Sequence, residues 1–149
     1  MHALSKEVIS QDPYQAGQQL VDTFSSIAYL CAVMWNDTSA LDKLLFYQQS
    51  NIPHCKMLYV IDKYGIQISA NISSQNIDSC KRGQYLKNRP YMQEMNTSDK
   101  FHLSSVYLSQ TGCCRCITAT HQIMANQEDQ LGYLAADFDV SNLPDAQIF

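Results

Sequence analysis

The sequence predicts an α+β domain in which one five-stranded antiparallel sheet carries a long N-terminal helix across one face. Three observations lead to it. Apolar residues recur at helical spacing in the first third of the chain, the period changes to that of strands at Met57, and the segments run helix, two strands, long polar connection, three strands.

The helix comes first. Asp12-Pro13 reads as an N-cap followed by proline at the first helical position, where the missing N–H has no partner to lose. Leu20, Phe24, Ile27, Cys31 and Met34 then recur at spacings of four and three, forming one apolar stripe. Asn36-Asp37-Thr38-Ser39 interrupts it with side chains that compete for backbone hydrogen bonds, after which Leu41, Leu44 and Leu45 resume an apolar face. This predicts two consecutive helices, or one kinked helix, ending near Ser50. Tyr29, Trp35 and Phe46 read as core or dimer-interface aromatics, and a stripe longer than one sheet face covers would pair with itself, which predicts a homodimer through this helix.

The strands follow. Met57 to Asp62, a turn at Lys63-Tyr64-Gly65 and the alternating Ile66 to Ala70 read as a hairpin. The segment from Asn71 to Asp99 is polar and irregular apart from a short helix expected from Tyr91, and connections of that length usually carry function or are disordered. Phe101 to Ser109, Cys114 to Met124 and Leu131 to Val140 are three further strands, the last two joined by a polar turn and therefore adjacent and antiparallel. In the last strand Leu134, Ala136, Phe138 and Val140 share one face, suited to the helix, while Tyr133, Ala135, Asp137 and Asp139 share the other, suited to a pocket.

Composition bounds the function. A length of 149 residues at 46% hydrophobic content suits one core, divided as a helical segment over 1–52, a sheet core over 53–143 and a tail over 144–149. A net charge of −4 with no basic run excludes nucleic acid as an expected partner. No stretch approaches the about 20 apolar residues of a spanning helix, and the first twenty residues lack the layout of a secretion signal. The six cysteines, at 31, 55, 80, 113, 114 and 116, follow no disulfide framework, so they are expected to be mostly free and the compartment reducing, hence cytoplasmic, with a periplasmic origin as the alternative for a piece of a membrane receptor.

Four motifs stand in order along the chain: Tyr59-Val-Ile-Asp62-x-x-Gly65, Gly83-x-Tyr85-x-x-x-Arg89-Pro90-Tyr91, Val106-Tyr107-x-Ser109, and Gly132-Tyr-Leu-Ala-Ala-Asp137-Phe-Asp139. Together they resemble the Cache family, an extracytoplasmic relative of PAS, over residues 55 to 140 and, in outline, the helix. The resemblance implies a PAS-like single Cache domain, a sensory module of bacterial signalling with a ligand pocket under the long loop after the second strand. It implies a small polar ligand (a carboxylate, an amino acid or an amine), no cofactor, no enzyme activity, and a signalling partner or fused output domain. In family members that bind amino acids or amines, the arginine grips a carboxylate and the aspartate of the last strand receives the ammonium. Those positions are matched here by Arg89, Tyr91, Tyr107 and Asp137, and Tyr133 joins the candidates from the face of Asp137. Two departures bear on the ligand: Met92 stands where the amino-acid-binding version has a second aromatic, and Tyr85 lies four residues before Arg89, where that version has a tyrosine five before.

Each candidate has a plainer reading. Arg89 with Tyr91 and Tyr107 makes an anion clamp, since a guanidinium fork matches a carboxylate, or else Arg89 is a surface residue. Asp137, an acid in mid-strand, needs a partner, either a ligand ammonium or a structural pair with Arg89 or Arg115. Asp139 reads as solvated or as a cap. Cys113-Cys114-x-Cys116 with His121 has donor atoms suited to zinc but lacks the turn spacing of tetrahedral sites, and packing of small side chains is the expected role. No nucleophile elbow and no glycine-rich phosphate loop occurs, so catalysis is not expected. The rivals to a ligand sensor are a ligand-free dimerisation module and a thiol-based redox switch.

Overall fold

The computed structural model describes residues 13–95 and 98–143. The Asp12 cap and the tail over 144–149 lie outside the described residues. Helix α1 (Pro13–Val33) ends where the polar run begins, and α2 (Thr38–Gln48) starts at Asp37, whose carboxylate accepts from the Ala40 N–H at 3.1 Å. A 3-10 turn, Gln49–Asn51, closes the helical part. The break therefore falls at residues 34–37, and the second helix starts after Asp37 because its side chain satisfies a first-turn donor that has no partner within the helix.

The sheet comprises β1 (Met57–Asp62), β2 (Asn71–Ile72), β3 (Ile77–Asp78), β4 (Phe101–Leu103), β5 (Tyr107–Leu108), β6 (Arg115–Met124) and β7 (Gln130–Asp139), and between β3 and β4 stands the short helix α3 (Pro90–Glu94). Their order is β3-β2-β1-β7-β6-β4, with β5 also on β6, and every pairing is antiparallel. The expected antiparallel sheet is thus present, with seven strands where five were expected. The β6–β7 hairpin is its longest pairing and runs from Cys116 opposite Asp139 to Met124 opposite Gln130, with a bulge at Ile123 and Met124.

Two expectations need correction. Ile66 to Ala70 turns back onto β1 as expected but meets it through the Ile61–Gln67 bridge rather than as a regular strand, and the strand that pairs with β1 is β2, with Ile72 opposite Leu58. The Val60 N–H donates to the Ser69 hydroxyl at 2.8 Å rather than to a backbone carbonyl, which interrupts the ladder, while Ile66 and Gln67 bond to β1 at Asp62 and Ile61 on one side and to the returning chain at Gln84 and Tyr85 on the other. The strand expected over Phe101 to Ser109 is split into β4 and β5, because Ser104 breaks the run by turning its hydroxyl onto the Thr118 N–H at 2.9 Å.

The helices cover one face. Phe24, Ile27 and Cys31 of α1 and Leu41 and Leu45 of α2 are buried with Leu58, Val60, Ala119, Ile123, Leu134, Ala136 and Phe138 of the sheet. Fully burying a side chain of this size contributes about 1.5–3 kcal/mol, so this face supplies the larger share of the core. Trp35, at the end of α1, lies over Gly132, where a Cβ would stand 2.0 Å from the Ile61 carbonyl oxygen and 2.9 Å from the indole. Only glycine lets β1, β7 and the indole meet there. Tyr29, expected in a core or interface, is 72% exposed.

A second connection ties helix to sheet. Asp42 of α2 is buried, accepts from the Ala70 N–H at 2.9 Å and pairs with Arg82 at 2.8 Å, while Arg82 also donates to the Ile68 carbonyl at 3.0 Å. The residues that leave β1 and those that return before α3 are therefore fastened to α2 through one carboxylate.

Candidate functional site

On the other face, Met57, Tyr59 and Ile61 of β1, Tyr133, Ala135 and Asp137 of β7, and Cys116, Thr118 and Thr120 of β6 lie side by side, as the cross-strand register requires. Leu86, Tyr91, Met92 and Tyr107 cover part of this face and form a second apolar cluster with Tyr59, Ile61 and Ala135. What remains uncovered is a cavity of about 190 Å³ lined by Lys56, Tyr59, Gln67, Asn71, Gln84, Arg89, Tyr91, Tyr107, Ser109, Thr111, Cys116 and Asp137, among others. It is smaller than the about 300–1,000 Å³ of a drug-sized site, so it suits a small occupant.

Asp137 sits at its floor. Its Oδ1 accepts from the Tyr59 hydroxyl and from the Thr118 hydroxyl, both at 2.8 Å. Tyr59 and Tyr91 are joined hydroxyl to hydroxyl at 2.8 Å, and Tyr107 bonds to the Thr118 hydroxyl. A phenol carries one proton. With Asp137 ionised, Tyr59 must therefore give its proton to the carboxylate and receive one from Tyr91, while Thr118 gives its proton and receives one from Tyr107. Four hydroxyls in two relays converge on one oxygen, and among the described residues the other oxygen, Oδ2, takes no hydrogen bond.

The electrostatics follow from burial. Removal from water pushes the Asp137 carboxyl above its ordinary range, opposed by the hydrogen bonds from Tyr59 and Thr118 and by the charges of Lys56 and Arg89. Burial likewise raises the phenols of Tyr59, Tyr91 and Tyr107, and the Asp137 charge adds to each, so all three remain protonated donors.

Arg89 precedes Pro90 at the start of α3, in the extended conformation that a following proline favours. Its guanidinium lies 5.4 Å from the centre of the Tyr107 ring and donates to the Leu108 carbonyl at 3.4 Å. Among the described residues no ion pair joins Asp137 to Arg89 or to Arg115, so the structural-pair reading of Asp137 does not hold. Arg89 and Asp137 are separate polar features of one cavity, and Tyr91 and Tyr107 line it with them.

Tyr133 does not. It shares the face of Asp137 but stands four residues along the strand, about 13 Å away, and it is buried without lining the cavity. Alternation along the strand gives the face of a residue but not its distance from the cavity. Sequence reasoning also missed Tyr59, Thr118, Lys56, Gln67 and Gln84. Thr118 had a signal, since counting the hairpin register places it directly opposite Asp137. Gln84 lines the cavity while Tyr85 is 55% exposed.

The thiols divide. Cys31 and Cys55 are pushed up to about 12 by burial, and Cys116 is raised for the same reason. Cys113 is exposed and Cys114 half-buried, which corrects the expectation that this cluster only packs. His121 lies on the helix face against Phe101, opposite to the face of Cys116, so those two cannot share a metal ion. Among the described residues no group of three such ligands could hold one. Asp139 caps the 3-10 turn at Val140 by accepting from the Ser141 N–H.

No family model and no curated protein sequence matches the chain. Solved structures do. The ligand-binding domain of the Campylobacter jejuni chemoreceptor Tlp3, in complex with 4-methylisoleucine, superposes with a TM-score of 0.63 at 14% identity, covering 95% of this chain and 62% of that one. The ligand-binding domain of the Pseudomonas aeruginosa amino acid chemoreceptor PctC, in complex with GABA, gives 0.61 at 11% identity over 91% of this chain and 60% of that one. The Bacillus subtilis YkuI protein, which has an EAL domain, gives 0.58 at 17% identity over 92% and 34%. The chain spans less than two-thirds of each of these structures. Its fold is that of these chemoreceptor ligand-binding domains, and among the described residues no helix is long and apolar enough to cross a membrane.

Proposed function

We propose that this chain is a sensor domain that binds a small amino-bearing ligand, an amino acid above all, in the cavity between the sheet and the segment from Gln84 to Thr111. The observation that carries the reading is Asp137: a cavity-lining carboxylate removed from water, with two hydroxyl donors on one oxygen and, among the described residues, no hydrogen bond to the other. An ammonium supplies what Oδ2 lacks, since burying an uncompensated charge is costly and a charge-assisted contact offsets that cost. A ligand carboxylate would take Arg89, reoriented from the Leu108 carbonyl, and Lys56 adds a second positive charge at the cavity wall. Tlp3 and PctC in complex with 4-methylisoleucine and GABA make amino acids the first ligands to test. Enzyme activity forms no part of this reading.

Occupancy would be passed on through Arg82 and Asp42 to α2, and from there to a signalling partner or output domain. The exposed Tyr29 and Val33 on α1 support pairing with a second copy, and six unpaired thiols support a reducing compartment. The reading is tested by calorimetric titration of wild type and Arg89→Ala with an amino acid and with the matching simple amine. Arg89→Ala should weaken the amino acid by roughly 2–5 kcal/mol, as for loss of one partner of a desolvated charge pair, and leave the amine nearly unchanged. Equal binding of the amino acid by both proteins would remove Arg89 from the site.

A further inference from the structure

Beyond the cavity itself, its rim carries chemistry that ligand binding does not use. The turn between β5 and β6 brings Cys113 Sγ to 3.0 Å from Cys114 Sγ. Thr111 Oγ1 donates to Cys113 Sγ at 3.0 Å, Ser109 Oγ lies 3.9 Å from the same sulfur, and the Lys56 ammonium stands 3.9 Å from Cys114 Sγ. Ser109, Thr111 and Lys56 also line the cavity. Two thiols in contact, one of them exposed and surrounded by hydroxyl donors, with a cation beside the other, are the surroundings of a reactive pair rather than of packed apolar side chains.

We propose that Cys113 and Cys114 form a vicinal dithiol that hydroperoxides oxidise reversibly to a disulfide at the mouth of the cavity. Cys113 is the attacking sulfur: hydrogen bonds from Thr111, Cys114 and Ser109 lower its thiol to about 7, whereas Cys114 is raised by its bond to Cys113. The Cys113 thiolate attacks the distal oxygen of the hydroperoxide; an S–O bond forms, the O–O bond breaks, and the alcohol or water leaves with a proton. Sulfur loses two electrons and the peroxide gains them. The Cys114 thiol then attacks the sulfenic sulfur, an S–S bond forms, the S–O bond breaks, and water leaves. Adjacent Cα atoms are about 3.8 Å apart, closer than ordinary disulfides allow, so the product is strained and easily reduced. Disulfide formation also takes the Cys113 acceptor from Thr111 and Ser109, so the cavity wall registers the change.

The test uses the intact chain, hydrogen peroxide and mass spectrometry, with the exposed Cys80 as internal reference. Wild type should lose two hydrogen masses, mapped to the Cys113–Cys114 peptide and restored by dithiothreitol. Cys114→Ser should stop at a dimedone-reactive sulfenic acid on Cys113, and Cys113→Ser should form neither product. Alkylation at pH 7 should run roughly fivefold faster at Cys113 than at an unstructured thiol, the larger thiolate fraction being partly offset by lower nucleophilicity. Circular dichroism of each variant checks that the fold is kept. Oxidation of Cys80 ahead of Cys113, or a disulfide that still forms in Cys113→Ser, would overturn the proposal.

Discussion

Asp137 stands among phenols and apolar side chains, and burial holds its carboxyl above the usual carboxylate range. The linkage has a definite sign. Between the ordinary carboxylate value and the raised native one, the folded chain binds more protons than the unfolded chain, so this residue adds stability as pH falls through that window and withdraws it as pH rises through the native value. Ligand binding should run the other way, since an ammonium needs the ionised form, and affinity should fall as pH drops through the native value of Asp137. Asp137→Asn keeps an oxygen to accept from Tyr59 and Thr118 and removes the buried charge. The variant should be at least as stable as wild type in urea unfolding at neutral pH, lose about thirtyfold or more in amino-acid affinity, and abolish that pH dependence of binding. A variant that binds amino acids with unchanged affinity would remove the ammonium from this position.

At the scale of elements, the meeting of β1, β7 and Trp35 over Gly132 depends on the absence of a side chain. Gly132→Ala should cost about 1–3 kcal/mol or more by overpacking against backbone that has little freedom to move, read as a shift in the urea midpoint; a midpoint equal to that of wild type would mean the strands do not approach as described. What the sequence made legible was local: the helix break capped by Asp37, since one capping residue decides it, and the β6–β7 hairpin, since alternation and a short polar turn decide it. What it hid depends on long-range partners. Ser69 interrupts the expected second strand by accepting the Val60 N–H on its hydroxyl oxygen, nine residues away, and Asp42 finds Arg82 across forty residues. Neither leaves a periodic trace. Part of the cavity lining was legible: Arg89, Tyr91, Tyr107 and Asp137 line one cavity, Tyr59 and Thr118 required the strand register, and Tyr133 shares the face of Asp137 without lining that cavity.

For the whole molecule, the sheet separates two functions. One face holds the helices and most of the core, and the other holds a small polar cavity under the segment that Arg82 fastens to α2. The fold is shared with domains from chemoreceptors of which this chain spans 60 to 62%. The most direct measurement is thermal unfolding of the wild-type chain with a panel of amino acids, simple amines and simple carboxylates. At a hundredfold excess over Kd a true ligand adds about 2.7 kcal/mol, a clear rise in Tm, and amino acids should produce the largest rise, amines a smaller one, and carboxylates without an ammonium none. A panel in which nothing raises Tm, or in which carboxylates without an ammonium raise it as far as amino acids do, would contradict the account.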